Sequence, residues 1–195
     1  MINAVGRDIP EEILKQTGKE VFQGNYYKDG KPFKKAGPMV TPVMNHDHDK
    51  MVKDIHEALV KCNAHDGMTV SFHHHFRDGD LVVCMVMKEI QKMGLKNITI
   101  SASSLGKAHD DLVPMIEDGT ITNIESSGVR GKIGEAISHG KLKGLATMRS
   151  HGGRVRALVT GETHVDIAFI GAPTCDEYGN CRGIGGKTNC GVLSY

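Results

Sequence analysis

Five short stretches combine histidine, serine, glycine and arginine in ways that could handle an anion. The first is His73-His74-His75-Phe76-Arg77-Asp78-Gly79. On an extended segment side chains alternate, so His73 and His75 share one face and His74 takes the other. Arg77 adds a permanent positive charge. Two chemistries are open to this cluster: hydrogen bonding and charge toward an anion, or metal ligation with His46 and His48 as further ligands. The second lacks a carboxylate or cysteine at a recognisable ligand spacing, and no metal is expected.

The other four stretches share the same small-residue chemistry. Ser101-Ala102-Ser103-Ser104-Leu105-Gly106 offers hydroxyls and allows close backbone approach, which suits a ligand or an ordinary capped turn. No G-x-S-x-G is present, which argues against a serine hydrolase. Glu125-Ser126-Ser127-Gly128-Val129-Arg130-Gly131 carries a strand-end carboxylate and a cation. Ser150-His151-Gly152-Gly153-Arg154 opens a helix, whose first amides favour anions. The last is Gly183-Ile184-Gly185-Gly186-Lys187-Thr188-Asn189. Its Gly-Lys-Thr matches the end of a phosphate-binding loop, but Cys181 stands where the first glycine of that motif would be, and a turn replaces the strand before it. A nucleoside-triphosphatase is therefore excluded. Arg77, Arg130, Arg149 and Arg154 all fall in or beside these stretches.

Regular elements must hold these loops. Val52, Ile55, Leu59 and Cys62 recur at helical spacing, MTVSF reads as a strand, and 81–93 as a helix closed by Gly94. NITISA, TITNIE, GLATM and VDIAFIGAP read as further strands. They alternate with helical stretches at 109–118, 130–139 and 153–160. Tyr178-Gly179-Asn180 marks a hairpin turn. Strands alternating with helices predict an α/β fold: a mostly parallel sheet with helices on both faces, joined by right-handed crossovers. Ligands of such sheets bind beyond the carboxyl ends of the strands, where the five stretches lie. Residues 1–45 are irregular and read as an N-terminal extension; residues 46–195 read as the α/β domain.

Composition bounds the function. With 195 residues, 24 Lys+Arg against 23 Asp+Glu and a net charge of +1, the chain is expected to bind neither nucleic acid nor a membrane surface. Its longest strictly apolar run is Leu81–Met87, too short to span a bilayer. The start MINAVGRDIPEEILK has no apolar core of a secretory signal. Five cysteines, an odd number, argue against a disulfide framework and for a cytoplasmic location. Cys62 and Cys84, on apolar helical stripes, are expected in the core.

The order of VGRDIPEEI, DGMTVSFHHHFRDGD, ISASSLGKAHDDLVPMIEDGTIT, IESSGVRGKIGEAIS, MRSHGGRVRA and VDIAFIGAPTCDEYGNCRGIGGKTNCG resembles the citrate lyase alpha chain family, the citrate CoA-transferase subunit. The likeness runs from about Val5 to Tyr195. More distantly the pattern is similar to the first half of family I CoA-transferases, with His73-His74-His75-Phe76 where those proteins carry a glycine-rich turn.

The resemblance implies a CoA-transferase-like fold and an acyl exchange, in which citrate displaces acetate from an acetyl thioester to give a citryl thioester. It implies a CoA-like thioester as substrate, carried on an acyl-carrier gamma subunit, with no covalently bound cofactor. It also implies a beta subunit that cleaves the citryl thioester to oxaloacetate, and a homo-oligomer. The residues expected to bind citrate or thioester are His73, His74, His75, Phe76, Arg77, Ser103, Ser104, Gly128, Arg130, His151, Gly152, Gly185, Gly186 and Asn189. The family's nucleophilic glutamate is expected outside this sequence, so Glu125 is not assigned that role and the chain alone is expected to be inactive. Two other readings stand beside this one: a non-catalytic subunit-docking fragment, and a CoA-transferase for another carboxylate.

Overall fold

The structure is a computed structural model that describes residues 1–4, 6–21, 27–28, 31–32, 50–73, 81–183 and 185. The expected domain boundary at 45/46 lies outside these residues. By its internal packing the chain divides into two compact units, Met1–Ala36 and Gly37–Tyr195.

In the first unit a short helix, α1 (Glu11–Thr17), carries Glu11 and Glu12 in its first turn and Lys15 in its last. These charges complement the helix dipole. Gly18, at φ +62°, closes the helix in the left-handed conformation. Two-residue strands β1 (Tyr27–Lys28) and β2 (Lys31–Pro32) pair antiparallel on either side of Asp29-Gly30.

The second unit is built on a five-stranded sheet. Its elements are α2 (Ile55–Lys61), β3 (Thr69–His73), α3 (Val82–Lys92), β4 (Ile98–Ala102), a 3-10 helix (Lys107–Leu112), α4 (Val113–Glu117) and β5 (Ile121–Ser126). Then come α5 (Gly131–Ser138), β6 (Ala146–Met148), α6 (His151–Thr160) and β7 (Ile167–Ile170). A small hairpin, β8 (Thr174–Cys175) and β9 (Cys181–Arg182), follows. The sheet order is β6-β5-β4-β3-β7 and every neighbouring pair is parallel. The expected parallel α/β architecture is the one found.

The helices are shared unequally between the two faces of the sheet. Val70, Phe72, Ile100 and Ile124 point to one face and are buried there with Val83, Val86, Met87 and Ile90 of α3, Met115 and Ile116 of α4 and Ile133 of α5. Fully burying each such side chain contributes about 1.5–3 kcal/mol. The opposite parity is polar: Thr69, Ser71 and His73 on β3, Thr99 and Ser101 on β4, Asn123 and Glu125 on β5. The register aligns Ser71 with Ser101 and Ser101 with Glu125. The crossover helix α6 supplies the cover on this side.

Local chemistry sets the element ends. The Asp54 carboxylate accepts from the Glu57 amide at 2.8 Å and the Glu57 carboxylate accepts from the Lys53 amide at 3.1 Å, a reciprocal cap on α2. The helix expected over 109–118 begins instead as a 3-10 turn at Lys107 and becomes α-helical at Val113, with Pro114 in the first turn. A proline is tolerated there because that amide has no intrahelical partner. Cys84 is buried as expected, but Cys62 is exposed and ends α2. The stripe read through Cys62 buries only Leu59 on this helix. Among the described residues no helix is long and apolar enough to cross a membrane.

Candidate functional site

The chain order of the sheet singles out one place for a ligand. From β3 the connections lead stepwise to β4, β5 and β6; the next one returns across the sheet to β7, on the far side of β3. Open α/β sheets bind ligands beyond the carboxyl ends at such a reversal. Here the reversal lies between β3 and β7, and the last paired residues are His73 and Ile170. His73 is half-buried and has the parity of the polar face. The residues that follow β3 in the sequence, including His74, His75, Phe76 and Arg77, lie outside the described residues, as do Gly186 and Asn189.

Beside the reversal, the loops after β4 and β5 are tied into one rim. The Ser127 amide donates to the Ser103 carbonyl at 3.0 Å, the Leu105 amide to the Gly128 carbonyl at 3.0 Å, and the Arg130 amide to the Leu105 carbonyl at 2.9 Å. The Ser126 hydroxyl donates to the Gly128 carbonyl at 3.0 Å and accepts from the Gly128 amide at 3.2 Å. Ser103, Ser104 and Gly128 are thereby held half-buried side by side. The Ser127 hydroxyl is buried and has no partner among the described residues.

The helix N-termini at this edge are partly occupied from within. The Asp110 carboxylate accepts from the Lys132 amide at 2.7 Å, in the first turn of α5. Gly131 has φ +72°, and a Cβ there would lie 2.6 Å from Asp110 Oδ1, so this turn requires glycine. At α6 the Ser150 hydroxyl accepts from the Gly153 amide at 3.1 Å. His151 and Gly152, ahead of that capped amide, are exposed, as is Gly185.

The arginines separate into different roles. Arg154 is only 2% exposed, and its guanidinium donates to the Ser71 hydroxyl at 3.3 Å and the Ser101 carbonyl at 3.1 Å. It is a strut from α6 to the centre of the polar sheet face. Arg149 pairs with Glu162 at 2.8 Å, and Arg156 holds the other oxygen of Glu162 at 2.6 Å. The Arg149 hydrogen bond leads in holding the Glu162 carboxyl below its ordinary range. Arg130 is exposed and makes no ion pair among the described residues, so its charge is available at the rim.

Glu125 faces the polar side, where its Oε2 accepts from the Thr163 hydroxyl at 2.6 Å. It lines a cleft of about 240 Å³ with Thr69, Thr99, Asn123 and His164. Among the described residues no three His, Cys, Asp or Glu side chains gather as a metal site would require. Of the four histidines in the metal alternative, only His73 is described.

Sequence reasoning misses two features: the Arg154 strut and the Thr163–Glu125 bond. The polar alternation Thr69-Ser71-His73 and Thr99-Ser101 is a usable signal for the first. Nothing local pairs Thr163 with Glu125, which are 38 residues apart.

These features define an open α/β domain: a parallel sheet with a reversal at its carboxyl edge and a glycine- and serine-lined rim. The family model for the citrate lyase alpha subunit matches residues 48–195. The chain belongs to the citrate lyase alpha subunit family. It is 49% identical over 146 residues to the citrate lyase alpha chain of Escherichia coli K12, covering 75% of this chain and 29% of that relative. To the Haemophilus influenzae alpha chain it is 48% identical over the same length and shares. A crystal structure of the putative alpha subunit of citrate lyase from Streptococcus mutans, in complex with citrate, superposes with a TM-score of 0.76 at 47% identity. That match covers 99% of this chain and 37% of the other. The chain thus spans about 29% of the length of the curated relatives it matches.

Proposed function

We propose that this chain forms the first α/β domain of a citrate CoA-transferase and that its carboxyl edge receives citrate and an acyl thioester. The observation that carries the reading is the reversal between β3 and β7. It puts the crevice of the sheet at His73, on the same edge as the stitched serine and glycine loops and Arg130, which makes no ion pair among the described residues, in a chain of the citrate lyase alpha family.

The chemistry is an exchange of carboxylates at one thioester. A carboxylate oxygen of citrate adds to the acetyl carbonyl, and the tetrahedral oxyanion expels the thiolate to leave a mixed anhydride. The thiolate then adds to the citryl carbonyl and acetate departs. One thioester is broken and one formed, so the exchange is close to neutral in energy. It needs amide or hydroxyl donors for the oxyanion and cations for a tricarboxylate. Ser103, Ser104, Gly128, His151, Gly152 and Gly185 are the described candidates for donors or close approach, with Arg130 the exposed cation. His74, His75, Phe76, Arg77, Gly186 and Asn189 complete the proposed set.

A glutamate nucleophile, where the exchange uses one, is proposed to come from the rest of the longer protein. Glu125 is engaged with Thr163 instead. The thioester is carried by CoA or by the CoA-like group of an acyl-carrier subunit, and a beta subunit cleaves the citryl product. The assembly is proposed to be cytoplasmic and oligomeric. Full-length protein incubated with acetyl-CoA and citrate is expected to release acetate only when citrate is present. A folded full-length protein that releases none, with either CoA or carrier-bound thioester, overturns the reading and favours a docking role.

A further inference from the structure

Two exposed thiols face each other across the hairpin that leaves β7. Cys175 of β8 and Cys181 of β9 are direct partners in the antiparallel register. The Asp176 amide donates to the Asn180 carbonyl at 3.1 Å, one step further toward the turn. Hydrogen-bonded and non-hydrogen-bonded pairs alternate along an antiparallel ladder, so Cys175 and Cys181 hold a non-hydrogen-bonded position. Cα atoms there stand about 4.5 Å apart, inside the ~4.4–6.8 Å range of disulfides. The two sulfurs need only turn about their Cα–Cβ bonds to meet.

The turn is built to hold that geometry. The Asp176 carboxylate accepts from the amides of Tyr178 at 3.1 Å and Asn180 at 2.8 Å, and its second oxygen from the Asn180 side-chain amide at 2.8 Å. Gly179 supplies the φ of +82° that lets its amide return to the Asp176 carbonyl at 3.0 Å. The sulfurs are otherwise weakly engaged: Cys175 Sγ lies 3.9 Å from Met51 Sδ, and Cys181 Sγ 3.9 Å from the Gly179 carbonyl. Cys84 is the contrast. It is buried, bonded to the Ala108 carbonyl at 3.4 Å, and burial pushes its thiol pKa up, so it is inert to oxidants.

We propose that Cys175 and Cys181 are a reversible dithiol–disulfide pair that clips the hairpin at the end of β7. The oxidant is a low-molecular-weight disulfide of the glutathione class. One thiol loses its proton and attacks that disulfide, releasing one small thiol and forming a mixed disulfide. The second cysteine, as thiolate, attacks the protein sulfur and releases the other small thiol. Two protein thiols become one disulfide, and one small disulfide becomes two small thiols. Once clipped, residues 175–181 form a covalently closed ring after β7, and the Arg182-Gly183 stretch leaves from its base.

The sequence makes the test direct. Between Arg156 and Arg182 there is no Lys or Arg, so both cysteines fall on one tryptic peptide, Ala157–Arg182, whereas Cys190 falls on another. Full-length protein is equilibrated with excess oxidised glutathione, labelled with maleimide, digested and weighed, and the sample is repeated after addition of reduced glutathione. The expected result is an unlabelled Ala157–Arg182 peptide lacking two hydrogens, with labelling restored on reduction. Maleimide uptake at both cysteines should fall about tenfold in the oxidised sample. In Cys175→Ser, Cys181 should instead retain a single glutathione adduct, because its resolving partner is gone. Two free, labelled thiols in the oxidised sample overturn the proposal. So does a cross-link from Cys181 to the Cys190 peptide, or a stable glutathione adduct on the native pair.

Discussion

The two ends of the central sheet are built from different materials. At the amino edge, aspartates fasten the chain where strands begin. Asp166 accepts from the Thr69 amide at 2.7 Å, Asp66 from the Lys96 amide at 2.7 Å, and Asp118 from the Thr120 amide at 2.7 Å. At the carboxyl edge hydroxyls and small loops that bond to one another dominate, with one fastening carboxylate, Asp110, and the exposed Arg130. Charge at the amino edge is consumed in fixing the fold. At the carboxyl edge Asp110 and Arg149 are likewise engaged within the fold, but Arg130 makes no ion pair among the described residues. The difference is a physical reason to place binding there, independent of the family likeness.

Substitutions should respond according to the edge they strike. The largest stability loss is expected between the edges, at the strut. Arg154→Ala removes the hydrogen bonds to Ser71 and the buried Ser101 carbonyl and leaves a void. Unfolding free energy by denaturant titration should fall by about 3 kcal/mol. Gly131→Ala, where the left-handed turn meets the Asp110 carboxylate, should cost about 2 kcal/mol in the same titration. A neutral outcome there would mean that the rim after β5 is softer than its hydrogen bonds suggest.

Asp166→Ala should cost about 1 kcal/mol and leave acyl exchange unchanged at permissive temperature. A selective loss of exchange would erase the distinction between the two edges. The smallest effect is the pH dependence of Asp118. Burial would raise its pKa, but hydrogen bonds from Thr120, Gln91 and Lys96 outweigh this and hold it at about 2, against an ordinary 3.8. A depressed carboxyl stabilises the fold above its unfolded pKa and ceases to do so as pH falls through its folded one. The stability gap between the protein and Asp118→Asn should therefore be full near neutral pH and close between pH 3.8 and about 2. With the side chain 37% exposed, the gap should be about 1 kcal/mol or less. A gap that persists below pH 2 would assign the effect to packing instead.

Much of this architecture is legible in the order of the residues alone. The parallel sheet follows from strands and helices taking turns, and several helix ends from a glycine or proline whose backbone limits are local. The three chemical stretches after β4, β5 and β6 stand out because strand-to-helix loops fall at one edge by topology. The division of labour among the arginines is not legible in this way. Arg130, Arg149 and Arg154 look alike in a loop. One is exposed, one is neutralised by Glu162 from the far end of α6, and one is sunk into the sheet. That sorting depends on contacts up to 83 residues apart, which no local pattern encodes. Cys62 departs from expectation for a related reason: helical spacing marks a stripe, but only the packing decides where along it burial stops.

The most direct test of the carboxyl-edge account is the citrate-dependent release of acetate from an acetyl thioester by full-length Arg130→Gln, measured with its denaturation midpoint. The account predicts a fall in kcat/KM for citrate of about tenfold or more with an unchanged midpoint. An unchanged kcat/KM, or a loss of exchange that merely tracks a loss of stability, would contradict it.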